Sequence, residues 1–210
     1  MTDADHLRRE IVAPALRHIG MWSEAAENLL LGTAAVESRM GTYLRQIGGP
    51  ALGIWQVEPA THLDCWDNWL DYRPDAARLV LDLVPRIYRL PDDSPVPVDP
   101  QALASCPLYC CAIARIVYRR APEPLPAPTD WAALEAYHKR RYNTVAGKTK
   151  LGEFIAKSGA DHRQAAVAAT IWLRWTTLRL GARRARPTVP SLLGGVAGLP
   201  GNRHLVRANR

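Results

Sequence analysis

One glutamate in this chain occupies a position where a carboxylate is uncomfortable. Ser23 is a good N-cap and Glu24 puts negative charge in a first helical turn, so a helix starts at residue 24 and ends near Gly41. At about 100° per residue, Ala26, Leu30, Thr33 and Glu37 share one narrow line, which sets Glu37 on the stripe that faces the core. Burial of an unpaired carboxylate is costly, and the negative end of the helix dipole also disfavours its charged form. Both effects keep the proton on the acid, the condition for a group that donates a proton near neutral pH. The competing reading is a helix frayed at Arg39, with Glu37 solvated or paired with Arg39 or Arg45.

The 210 residues, 48% apolar and 22% charged, suffice for one substantial core plus tails. The net charge of +7 suggests a nucleic-acid partner until it is located. Six of the 27 basic residues (Arg183, Arg184, Arg186, Arg203, Arg207 and Arg210) lie in residues 181–210, which hold no acid, so the preceding 180 residues carry 21 basic against 20 acidic groups, or +1. The division expected is therefore a domain over 1–180 and an Arg/Gly/Pro-rich arm over 181–210. Asp3, Asp5, Arg8, Arg9 and Glu10 break any signal-peptide pattern, so synthesis without Sec-type export is expected. The longest apolar run, Ala165 to Leu173, is far short of the roughly 20 residues a membrane span needs.

The elements that must position Glu37 read as helices separated by caps and prolines. A first helix spans Asp5 to Ile19, limited or bent by Pro14. After the Glu37 helix, residues 41–54 form a loop with Gly41, Gly48, Gly49, Pro50 and Gly53. Pro59 opens a helix that carries Leu63, Trp66 and Leu70 to Tyr72; another runs from Asp75 to Leu90, kinked at Pro85. Pro100 opens the next behind Asp99, and Pro107 divides it to leave Leu108 to Arg120 as an apolar core helix. Thr129 or Asp130 caps a helix to about Tyr142, and the last helices are Lys150 to Lys157 and Asp161 to Leu180. No alternating strand-length run appears, so the fold class is mainly α. Cys65, Cys106, Cys110 and Cys111 read as core thiols; Cys106 and Cys110 share a helix face, but nothing completes a metal set, and no metal or cofactor is expected.

The run Ala35-Val36-Glu37-Ser38-Arg39-Met40-Gly41, followed by Gly53-Ile54-Trp55-Gln56-Val57-Glu58-Pro59-Ala60-Thr61, resembles the lysozyme-like lytic transglycosylases, the superfamily that includes goose-type lysozyme. With Gly49-Pro50-Ala51-Leu52-Gly53 it looks most like the forms carried in tailed-phage virions. The resemblance is compact, strong over about residues 24–62 and weaker to Asn143. It implies a lysozyme-like helical domain, Glu37 as catalytic acid, Ser38, Gly53 and Gln56 as supporting residues, and a Tyr142-Asn143 pair closing the cleft with the tyrosine hydroxyl on the acid. Val145 stands where the family usually has glycine, and Tyr137 competes with Tyr142. Trp55 either stacks on a sugar face or packs in the core. His62, one turn after Glu58, permits an ion pair or a metal pair, the surface pair being the commoner outcome.

Ordinary glycosidases use two carboxylates. From Arg39 to Val57 there is no Asp or Glu, and Glu58 is the nearest second carboxylate by sequence on that side. A one-carboxylate scheme is preferred, and the resemblance implies it. Glu37 protonates the glycosidic oxygen, the substrate acetamido group assists, and Glu37 then takes a proton from the C6 hydroxyl to leave a 1,6-anhydro sugar. The expectation is a peptidoglycan-cleaving enzyme of a phage virion, held to other virion proteins through 181–210 and acting in the host envelope. The alternatives are goose-type hydrolysis with Glu58 or Asp64 positioning water, an inactive structural virion protein, and a nucleic-acid module acting through the arm. The near-neutral body counts against the last.

Overall fold

A computed structural model describes residues 3–94, 96–142 and 154. The helices expected over 150–157 (Phe154 apart) and 161–180, the arm and Asn143 lie outside the described residues. Within them the protein is mainly α, with isolated bridges and no strands, and no helix is long and apolar enough to cross a membrane.

The first helix is α1 (Ala4–Leu7) continued through a π-helical turn (Arg8–Val12) into α2 (Ala13–His18). Pro14 follows the π turn directly, as expected where a missing N–H and the bulky ring disturb the ladder. α3 (Glu24–Ser38) starts at Ser23, whose Oγ accepts the Ala26 N–H at 3.1 Å, a cap that contributes about 1 kcal/mol. Rather than facing the core along one stripe, α3 is buried nearly all round from Ala25 to Ala35. α4 (Pro59–Cys65) runs into a second π turn (Trp66–Leu70).

One helix differs from expectation. α5 (Pro74–Leu81) stops before Pro85 instead of kinking there; a 3-10 turn (Arg86–Tyr88) follows, and Arg89 bridges antiparallel to Val98. Proline at 85 removes a donor and crowds the preceding turn, and the Arg89 guanidinium donates to the carbonyls of Leu81 and Val84 (2.9 and 3.2 Å).

α6 (Ala102–Ser105) leads to α7 (Pro107–Arg119), the central helix, with Tyr109 to Ile116 buried without a break. α2, α3, α4, α5 and α6 all pack on it. α8 (Trp131–Arg141) is capped by Asp130, whose Oδ1 accepts the Ala133 N–H at 2.9 Å, and packs along α3. Phe154 seals this seam. Its ring presses on Gly32 so closely that a Cβ there would lie 2.0 Å from the ring, which explains a glycine inside a helix. The four cysteines are free and buried, and burial holds Cys65 up at about 11 and Cys110 at about 12, so they are inert thiols of the core.

Candidate active site

α3 ends abruptly at Ser38 and does not fray. Arg39, Met40 and Gly41 are all left-handed (φ 53°, 56° and 80°), and the Met40 N–H returns to Ala34 O at 2.9 Å. Ser38, fully buried, fixes this turn: its Oγ donates to Ala34 O (3.2 Å) and accepts the Gly41 N–H (2.8 Å). Ser38 is therefore a supporting residue. Left-handed backbone costs about 1–2 kcal/mol for a residue with a side chain. Among the described residues it occurs outside glycine at Arg39, Met40 and Gln56 alone, all in this site.

The loop that follows is a miniature antiparallel meander. Arg45 bridges Leu52, and Leu52 bridges Val57 through two 2.9 Å hydrogen bonds that close the turn 53–56. Gly53 (φ 77°) is required twice over, since a Cβ would meet Leu103 O at 2.3 Å and Cys110 Sγ at 2.4 Å. Gln56 Nε2 donates to Gly53 O (2.7 Å) and Tyr43 O (3.1 Å), tying the turn to the segment after α3. Trp55 is fully buried, with Nε1 donating to Leu30 O at 2.9 Å. It is a core anchor, and sugar stacking is ruled out by its burial.

At this end of α3 stands Glu37, its side chain 22% exposed. It pairs with neither arginine suggested by the sequence: Arg39 lies over the Tyr43 ring and Arg45 donates to Gln101. Its neighbour is His138 of α8, fully buried, whose Nε2 lies 3.4 Å from Glu37 Oε1 without hydrogen-bond geometry. Behind the imidazole, Nδ1 is 2.8 Å from the Tyr118 hydroxyl, which is 2.6 Å from Thr33 Oγ1, which donates to Leu29 O at 2.7 Å. Burial pushes the Tyr118 phenol well above its ordinary value, and the nearby Glu37 charge adds to this. The phenol stays protonated, a relay member and not a base.

Tyr142 closes the same corner in a different manner from that implied by the resemblance. Its hydroxyl donates to Trp55 O at 2.8 Å instead of reaching Glu37, while its ring stacks on Tyr118 and His138 at centroid distances of 5.1 and 5.6 Å. Tyr142 thus joins the end of α8 to the loop 53–56. Tyr137, the competitor, is buried and points its hydroxyl at Glu123 O (3.3 Å), away from the loop carbonyl that Tyr142 holds.

The remaining carboxylates do not converge on Glu37 by any ion pair or hydrogen bond among the described residues. Glu58 is exposed at the start of α4. Asp64 is held by Asn68 (2.6 Å) and by Arg120, bonds that lower its pKa from the ordinary carboxylate value. His62 forms no surface pair with Glu58. It is fully buried against the Tyr109 hydroxyl, and burial lowers it to about 4. No group of three metal-ligating side chains occurs among the described residues.

Reasoning from sequence missed His138, Tyr118 and Thr33 as site residues. A signal was present for two of them: Thr33 lies one turn before Glu37 on the same line, and His138 follows Trp131, Leu134 and Tyr137 on the buried face of α8. Compared with protein-family models, curated proteins and solved structures, the chain matches none.

Proposed function

We propose that this chain cleaves the glycan strands of peptidoglycan, as a lytic transglycosylase with a lysozyme-like fold, with Glu37 as its acid and base. The observation that carries the reading is Glu37 itself: a partly exposed carboxyl, free of hydrogen bonds among the described residues, at a helix end built from left-handed backbone and faced by a buried histidine. Such a group is wasted as structure and suited to proton transfer.

In the scheme, Glu37 protonates the bridging oxygen between muramic acid and glucosamine units. The C1–O bond breaks as the substrate's acetamido oxygen bonds to C1. Glu37 then removes the C6 hydroxyl proton, the C6 oxygen displaces the acetamido oxygen, and a 1,6-anhydro sugar leaves. Hydrolysis by a positioned water is less favoured, because Asp64 is engaged by Arg120 and Asn68. The sequence resemblance supports placement in a tailed-phage virion, acting on the host envelope during genome entry, with residues 181–210 contacting other virion proteins.

Mass spectrometry of purified peptidoglycan treated with the protein tests this. Anhydromuramoyl products are expected; reducing-end products would indicate hydrolysis, and an unchanged wall would favour an inactive structural protein.

A further inference from the structure

The chain of groups behind Glu37 has a direction that follows from counting protons. Thr33 has one hydroxyl proton, Tyr118 one, and a neutral histidine one. If Thr33 donates to Leu29 O, Tyr118 donates to Thr33 and His138 Nδ1–H donates to Tyr118, then three hydrogen bonds form, at 2.7, 2.6 and 2.8 Å. Nε2 is then left with a lone pair. In the opposite direction, Thr33 donates to Tyr118 and Tyr118 to Nδ1, which makes only two bonds. It also leaves an Nε2–H buried without a hydrogen-bond acceptor of good geometry. An unpaired buried donor is the costlier orphan, so the first direction wins.

We propose that Thr33 and Tyr118 lock His138 as the Nδ1–H tautomer, so that Nε2 presents a lone pair, not an N–H, to Glu37 Oε1 3.4 Å away. This deepens the cleavage reading and rests on it for the role of the proton. In that reading the carboxyl proton of Glu37 faces this lone pair before it passes to the glycosidic oxygen. Once it has gone, the carboxylate faces a lone pair with no compensating positive charge. The C6 hydroxyl then gives its proton to Glu37, which restores the carboxyl. His138 is a positioning residue in this scheme, since it acts through Glu37.

Among the described residues, Tyr118 of α7 and Tyr142 after α8 lie beside Glu37, and burial holds both phenols neutral. Phe154 covers the imidazole at 5.5 Å between centroids.

The test is nitrogen NMR of the full chain labelled at histidine, with the His138 signal assigned by its loss in His138→Gln. At neutral pH, Nδ1 is expected to be protonated and Nε2 bare; a protonated Nε2 with bare Nδ1 would overturn the proposal. Thr33→Val removes the acceptor of the Tyr118 proton while keeping the side chain's shape, so Tyr118 turns to donate to Nδ1 and the proton moves to Nε2. The two ring signals should then exchange, with Nε2 protonated and Nδ1 bare. A spectrum unchanged by Thr33→Val would refute the relay. If that variant does not fold, Tyr118→Phe gives the second arm: loss of the Nδ1–H preference supports the relay, and its retention contradicts it. The NMR readout needs no substrate, so the wild-type tautomer stands or falls apart from glycan cleavage.

Discussion

Two carboxylates near opposite ends of helix α3, Glu27 and Glu37, are held in opposite ways. Glu27 has both oxygens engaged, Oε2 by Arg8 at 3.0 Å and Oε1 by the Trp22 indole at 2.8 Å, while Arg8 also reaches Asn28 at 2.9 Å and Asn28 binds Pro128 O at 3.0 Å. Among the described residues Glu37 has one ion-pair partner, at 3.4 Å, and that partner is a histidine. A carboxylate with both oxygens engaged fastens elements together, here the N-terminal helix to α3, and the adjacent Asn28 adds the loop before α8. A carboxylate with spare lone pairs beside a titratable ring is available for chemistry. The same residue type on the same helix therefore serves different ends according to its partners.

The contrast can be broken or sharpened by substitution. The largest effect is expected from Gly53→Ala, which sets a Cβ against Leu103 O in a left-handed turn; stability in denaturant should fall by about 3 kcal/mol, showing that the frame around Glu37 is rigid even though Glu37 is loosely held. His62 is as fully buried as His138, and burial depresses it to about 4. The unfolded chain binds a proton at His62 below about pH 6.5 and the folded chain does not, so stability is full above that value. It should decline as pH falls from 6.5 to about 4, by on the order of 2–3 kcal/mol, and denaturant titrations at stepped pH would reveal a flat profile if His62 were solvated.

Glu27→Gln should cost about 1–2 kcal/mol, moderated by the 31% exposure of Arg8, and leave the rate per folded molecule within about twofold. The smallest stability effect belongs to Glu37→Gln: its melting temperature should equal or exceed that of the wild type, because no hydrogen bond is lost. A clear fall in melting temperature would place Glu37 with Glu27 among the structural carboxylates.

Much of the site was legible along the chain because it is local. Ser23, Gly53 and Pro59 act through turns and caps whose chemistry is visible in neighbouring residues, and the line from Ala26 to Glu37 is a matter of helix period. Trp55 was ambiguous because its role depends on Leu30, a residue distant in sequence. The same limit hid the His138–Tyr118–Thr33 relay, which joins α8, α7 and α3. His62 misled for a related reason: spacing on α4 suggested a surface pair with Glu58, but Tyr109 of α7 covers it. The Asp75 to Leu90 helix failed through Pro85, which ends a helix where neighbouring packing does not compensate the lost bond.

The most direct test of Glu37 as acid is the rate of peptidoglycan cleavage by Glu37→Gln, measured beside Glu27→Gln at a temperature where both are folded. General acid–base catalysis contributes about 10²–10⁴ in rate, and a group that serves both proton transfers should lose at least the upper part of that range, while Glu27→Gln keeps its activity. Substantial cleavage by folded Glu37→Gln would contradict the account and move the search for the acid to Glu58.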